Sequence, residues 1–320
     1  MSDLKIKIED LKQGDILLFS HTEEWESKLI SLITDSPVSH AAISYYSCKE
    51  IAEETPPCAI VNLIEERKTG REITVMRLNS SEKDMTKVLD IAKKYVEDEE
   101  PYTKANLVFI LVYILFKKLT VNLKLQKLLC TLMKYVISGL IKYIDNKLRE
   151  GSHPMVCSQF VYNCYKNAGE EYNLIISEFD SGKSILAQVK EYINNNKIAL
   201  ENKMVNDIER IKAEYNEISS VEEEDLIRNI YNELKIQLES GIEKNNSQLY
   251  EEFVIAVHEF TSVLNYLYNQ DKTKKLVIKN KEELQSKGID SLSDIEEYFV
   301  TPGDLLYNCR NLINIGILED

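Results

Sequence analysis

Before residue 80 the chain is written in short apolar runs separated by turn formers, and beyond it almost entirely in helical periodicity. This division constrains the fold more than any other feature, since strands clustered in one stretch pair locally and the helices that follow must cover them. "GDILLFS" (14–20) is predicted to be a strand leaving a Gly-Asp turn, and "EITVMRLN" (72–79) is predicted to be another. Between them, "EEWESKLISLIT" (23–34) puts Trp25, Leu29, Ile30, Leu32 and Ile33 on one helical stripe. "DSPVSHAAISYYS" (35–47) turns at Ser36-Pro37 and resumes as a strand, and "KEIAEET" and "AIVNLIEER" read as two more. The expectation is an α+β fold with a small antiparallel sheet plus helices.

The helical part begins with residues 81–100, where Met85, Val88, Leu89, Ala92 and Val96 recur at threes and fours. Residues 103–149 are helical and unusually apolar. Their longest run, "ANLVFILVYILF" (105–116), falls short of the ~20 residues that cross a bilayer. A buried helix is favoured there over an interfacial or substrate-facing one. "GKSILAQVKEYINNN" (182–196) is a further helix. From 198, Leu200, Met204, Ile208, Ile211, Tyr215 and Ile218 form a seam that suits a coiled coil or a helical bundle, and helices continue over 222–240 and 249–270. The expected organisation is a core over 1–197 carrying an apolar helical insertion at 103–150, an acidic helical insertion over 198–296, and a return to the core over 297–320.

Residues 201–300 hold 22 Asp+Glu against 12 Lys+Arg, and so supply −10 of the formal charge of −14. That balance excludes nucleic acid as a partner, because a phosphate backbone requires a basic face. The six cysteines (48, 58, 130, 157, 164 and 309) show no C-x-x-C pairing and no Cys/His cluster at ligand spacing, so neither metal nor organic cofactor is expected. Charges run throughout the first fifteen residues, leaving no apolar leader core, and free thiols in a cytoplasmic setting are the expectation.

Cys157, in "GSHPMVCSQFVYNCY" (151–165), stands where an apolar helix opens. A helix N-terminus favours a thiolate through its dipole and free N–H groups. A nucleophilic thiol also needs a base and a group to orient that base. Of the four histidines, His21 and His258 lie in surface-loop and helix contexts. His153 is four residues before Cys157 with a proline between. His40 opens the apolar strand "SHAAIS" directly after a turn, with small residues following.

In order, "GDILLF", a helix, "SPVSHAAI", a Glu-bearing strand and "VCSQFVY" resemble the circularly permuted papain-like cysteine hydrolases, the YiiX/YaeF-type proteins, with lecithin:retinol acyltransferases as distant relatives. The matching residues are Gly14 and Asp15, Ser39 and His40, and Cys157 to Phe160. "TPGDLL" (301–306) resembles the family's closing segment, so the likeness spans about 1–190 and 297–320. The resemblance implies a permuted papain-like core with Cys157 as nucleophile and His40 as base. It implies an orienting carboxylate on the next strand, which is Glu53 or its neighbour Glu54. Strand alternation turns only one of the two inward, and Glu53 is the better match, with Glu54 expected to face solvent. Tyr102 matches loosely an aromatic position near the family's active site. The implied activity is a thiol-dependent hydrolase or acyl transferase acting on a peptide, amide or acylated substrate. The alternative is a binding or scaffold protein on the same core. The acidic helices are a candidate docking surface for a protein partner, and a membrane surface is the less favoured partner.

Overall fold

The computed structural model describes residues 4–34, 36–79, 83–100, 123–147, 155–177, 223–239, 250–269 and 300–319. In chain order the elements are β1 (Lys5–Ile6), β2 (Ile16–Ser20), α1 (Trp25–Thr34), β3 (Val38–Ser44), β4 (Glu50–Thr55), β5 (Cys58–Leu63), α2 (Ile64–Arg67), β6 (Ile73–Leu78) and α3 (Thr86–Glu97). There follow α4 (Leu123–Lys147), α5 (Cys157–Ala168), α6 (Glu223–Glu239), α7 (Glu251–Asn269), a π-helical turn (Asp304–Asn308) and β7 (Leu312–Leu318).

Ile16, Leu17, Leu18 and Phe19 of β2 are all fully buried, so this strand is covered on both faces. Ile16 and Leu18 join Ala41, Ile43, Ala52 and Met76 in a core shared with Val88, Leu89 and Ala92 of α3 and Phe160, Val161, Cys164 and Tyr165 of α5. Leu17 and Phe19 point the other way, into a second cluster with Ala42, Ile51, Ile64, Ile73 and Val75. The period of two thus sorts one strand between two cores.

The fold is α+β, as the sequence pattern implies. The sheet is larger than expected, with seven strands in the order β1-β7-β6-β2-β3-β4-β5, and it is mixed, because β1 runs parallel to β7 while the other pairs are antiparallel. A second difference falls at the end of "AIVNLIEER", where Ile64–Arg67 form a helical turn instead of continuing β5. Glu65 and Glu66 in its first turn and Arg67 in its last complement the helix dipole, and Ile64 seals the second core.

Two of the residues matched by resemblance hold the sheet together. Gly14 adopts φ +81°, and a Cβ there would come 2.7 Å from the Met85 side chain. The Asp15 carboxylate takes Nε and Nη2 of Arg77 at 2.6 Å each. At the other end of the chain, Asp304 Oδ2 accepts from the Thr301 N–H and hydroxyl at 2.9 and 2.7 Å, capping the turn that leads into β7.

The chain divides into two compact units, one comprising Met1–Leu107, His153–Phe179 and Tyr298–Asp320, the other Val108–Ser152 and Asp180–Glu297. The described helices of the second unit are α4, α6 and α7. Leu125, Leu129, Met133 and Ile137 of α4 are buried, as are Ile230 and Leu234 of α6 and Phe253, Val257 and Phe260 of α7. Spacings of three and four put each set on one face. Among the described residues, no helix is long and apolar enough to cross a membrane. The 105–116 run, the 182–196 helix and the seam from Leu200 to Ile218 lie outside the described residues.

Candidate active site

Cys157 is the first residue of α5. Val156 before it is extended, and its N–H donates to Gln159 Oε1 at 3.0 Å, which ties the helix start to its own first turn. Behind the cysteine, Phe160, Val161, Cys164 and Tyr165 are fully buried, and the Tyr165 hydroxyl donates to the Gly14 carbonyl. The cysteine is therefore held on a rigid element rather than a loop.

The sheet opens to receive it. The β3–β4 ladder runs from Ser44↔Ile51 through Ile43↔Ala52 to Ala42↔Glu53 and goes no further. At the next position the Ala41 N–H favours negative charge on the Cys157 sulfur. Burial alone would raise this thiol. The positive charge and hydrogen bond of His40 oppose it, with help from the N–H groups of Ala41 and Ser158, and the pKa falls below the ordinary thiol value.

His40 owes its orientation to a bulge. β2 and β3 pair Phe19 with His40 but Ser20 with Val38, so Ser39 is the extra residue. The bulge lets Val38 and Ala41 both enter the core under α5, while His40 turns to the face of Phe19 and Glu53. There His40 Nε2–H donates to Glu53 Oε2 at 2.5 Å, which leaves Nδ1 for its hydrogen bond with Cys157. Burial would lower the imidazole, but the thiolate, followed by Glu53, outweighs it and raises the pKa to about 9.

Glu53 is wholly buried. Its Oε1 accepts from Asn62 Nδ2 at 2.6 Å, and Arg67 reaches it with Nε at 2.8 Å from Oε1 and Nη2 at 3.1 Å from Oε2. Burial would raise this carboxyl, yet His40, Asn62 and Arg67 hold it down to about 2. The arrangement is thus a lowered thiol beside a raised imidazole, backed by a carboxylate that is ionised at neutral pH.

Glu54 corrects a sequence expectation. It does not face solvent: it is 0% exposed, on the sheet face that carries α5, and among the described residues neither carboxylate oxygen has a hydrogen-bond partner. Burial, then the charges of Glu100 and Cys157, push its pKa up to about 9, so at neutral pH it is an uncharged acid. Alternation does turn Glu53 and Glu54 to opposite faces, but both faces of β4 are covered. Asn62 and Arg67 were not anticipated as site residues.

Tyr102 and His153 lie outside the described residues. His21 is exposed, and His258 is buried in α7, where burial lowers its pKa to about 4. All six cysteines are free. Burial raises Cys58, Cys130 and Cys309, and raises Cys164 well above the ordinary thiol value, the reverse of Cys157. Among the described residues, no group of three or more His, Cys, Asp or Glu side chains is arranged to hold a metal ion.

No family model and no curated protein matches the chain. Among solved structures it is similar to the crystal structure of metalloprotein yiiX from Escherichia coli O157:H7, with 18% identity and a TM-score of 0.33 over 58% of this chain and 83% of that one. The likeness to yiiX is a distant one.

Proposed function

We propose that the protein is a thiol-dependent hydrolase or acyl transferase in which Cys157 forms an acyl-enzyme, His40 moves the proton and Glu53 orients His40. The observation that carries this reading is the chain of contacts Cys157–His40–Glu53, in which the thiol is lowered and the imidazole raised while four other cysteines shift upward. A buried thiol with a structural role gains nothing from a charged partner held in this way.

In the proposed reaction the Cys157 thiolate adds to the carbonyl carbon of an amide, ester or thioester. The oxyanion is met by N–H groups of the first turn of α5. His40, already protonated, gives its proton to the departing nitrogen, oxygen or sulfur, and the carbonyl re-forms as a thioester. The neutral imidazole then takes a proton from water, or from an acceptor alcohol or amine, which attacks the thioester and frees Cys157. Glu53 keeps Nε2 protonated throughout, so Nδ1 is the atom that exchanges the proton. A histidine strand that precedes the cysteine helix fits a permuted papain-like arrangement, and that order supports a YiiX-like reading of the fold.

The test is acylation by p-nitrophenyl acetate at pH 7. A burst of about one nitrophenolate per chain, with the added acetyl mass on the peptide holding Cys157, is the expected result. No burst, together with labelling of Cys157 no faster than that of Cys164 or Cys130, would leave the scaffold alternative.

A further inference from the structure

Arg71 sits at the rim of this site, and among the described residues no carboxylate forms an ion pair with it. Its Nε–H donates to the Ser20 carbonyl at 2.8 Å, and Nη2 reaches the Ser39 hydroxyl at 3.4 Å. The guanidinium carbon is 5.0 Å from the centroid of the Phe19 ring, and that ring packs on His40 with centroids 5.5 Å apart. Ser39 is the bulge residue next to His40, and it also shares a 2.7 Å hydrogen bond with Ser27 of α1. All these partners are neutral, so they fix the guanidinium in direction without supplying a counter-charge.

The contrast with Arg67 is informative. Arg67 is taken up by Glu53 at 2.8 Å, whereas among the described residues no carboxylate stands within ion-pair distance of Arg71. Glu53 and Glu24 act on it only from farther away. Burial, then the like charge of Arg67, bring its pKa down to about 10 while negative charge on Cys157 would support it, so Arg71 is a cation at neutral pH. With Nε and one Nη2 proton engaged, the Nη1 amino group and the outer edge of the fork remain to donate. In a chain of net charge −14, a fixed cation one residue-contact away from His40, through Phe19 and Ser39, reads as a complement to an anion.

We propose that Arg71 determines specificity by binding a carboxylate that the substrate carries close to the carbonyl attacked by Cys157. The proposal rests on the reading of Cys157 as nucleophile. The planar fork matches a carboxylate through two parallel hydrogen bonds. A single uncommitted positive charge matches a single negative one, and a doubly charged phosphate monoester would be left half-compensated, because Arg67 is held by Glu53.

Two alkylating agents with the same leaving group separate these roles. Iodoacetate carries a carboxylate and iodoacetamide does not; both lose iodide to the Cys157 thiolate and leave a thioether of distinct mass. With the full chain at pH 7, the iodoacetate-to-iodoacetamide rate ratio at Cys157 is expected to fall about five-fold in Arg71→Gln, the scale of one partly exposed charge pair, and to fall by less in Arg71→Lys, which keeps the charge but loses the fork. An unchanged ratio in Arg71→Gln overturns the proposal. In the unaltered protein, acetate is expected to slow iodoacetamide alkylation saturably while acetamide does not, and equal effects of the two overturn it independently of any variant. A Cys157 that iodoacetamide labels no faster than the other five cysteines would instead sink the nucleophile itself, and this proposal with it.

Discussion

Glu53 is the residue on which the electrostatics of the site turn, since it is a buried carboxylate facing two cations, His40 and Arg67. Glu53→Gln keeps the volume and removes the charge. Turnover is expected to fall about 10²- to 10⁴-fold, because the amide no longer fixes the tautomer of His40. The pH profile gives a second reading. In the proposed reaction the imidazolium is the acid, so turnover should hold through neutral pH and decline as pH rises through about 9, where His40 loses its proton. Removing the anion lowers that pKa, so the alkaline limb in Glu53→Gln should move down by about one unit or more. A limb that stays in place would show that Glu53 does not act on His40. A second sign can be worked out for stability. The native carboxyl lies near 2 against an ordinary 4.5, so its contribution is complete above about 4.5 and disappears as pH falls through about 2. Thermal melts of wild type should show that acid loss, and melts of Glu53→Gln should show less of it.

At the scale of elements, β4 carries opposite electrostatics on its two faces, with Glu53 ionised on one and Glu54 protonated on the other. Glu54 ionises near 4.5 when unfolded and near 9 when folded, so it costs stability increasingly as pH rises between those values. Glu54→Gln does not titrate, and its melting temperature should exceed that of wild type by an amount that grows from pH 5 to pH 8, by about 3 °C or more. A constant gap would mean that Glu54 is ionised in the native protein. Strand geometry alone separates Glu53 from Glu54 by face, and the choice between them came from the family resemblance because "IAEET" does not alternate; the covering of both faces was not legible, because it depends on α5 folding back from more than a hundred residues away. The bulge at Ser39 was also illegible: nothing in "SPVSHAAI" marks an extra residue until β2 is laid beside it. Asn62 was within reach of the sequence. A two-residue turn at Pro56-Pro57 fixes Thr55↔Cys58, and counting back along the hairpin sets Ile60 opposite Glu53, with Asn62 diagonal to it on the same face. Arg67 was not, because the helical turn of α2 replaces an expected strand and swings the guanidinium onto Glu53. β7 escaped notice because its pattern of buried and exposed residues is broken where the sheet register shifts between Val75 and Met76.

For the whole molecule, the decisive fact is that every residue assigned to the site belongs to one unit. His40, Glu53, Asn62, Arg67 and Arg71 come from the first segment of that unit, and Cys157 comes from its second. The third segment supplies β7, which pairs with both β1 and β6 and so ties the C-terminal end into the sheet. Helices α4, α6 and α7 have their own buried faces, a 2.5 Å Lys124–Glu233 ion pair and a 2.7 Å bond from the Tyr250 N–H to Gln126, so they do not depend on the sheet for a core. If units with separate cores fold separately, excising 108–152 and 180–297, with short Gly/Ser bridges in their place, should leave a chain whose circular dichroism keeps the sheet signal. Its Cys157 should react with iodoacetamide within about three-fold of the full-length rate, because the partners that lower the thiol, His40 and the N–H groups of Ala41 and Ser158, are all retained. Turnover of a large acylated substrate is the quantity expected to separate the two chains if the acidic helices recruit it. A shortened protein that folds but loses the enhanced reactivity of Cys157 would place part of the site's electrostatics in the helical unit, and would overturn the assignment of the chemistry to the sheet unit alone.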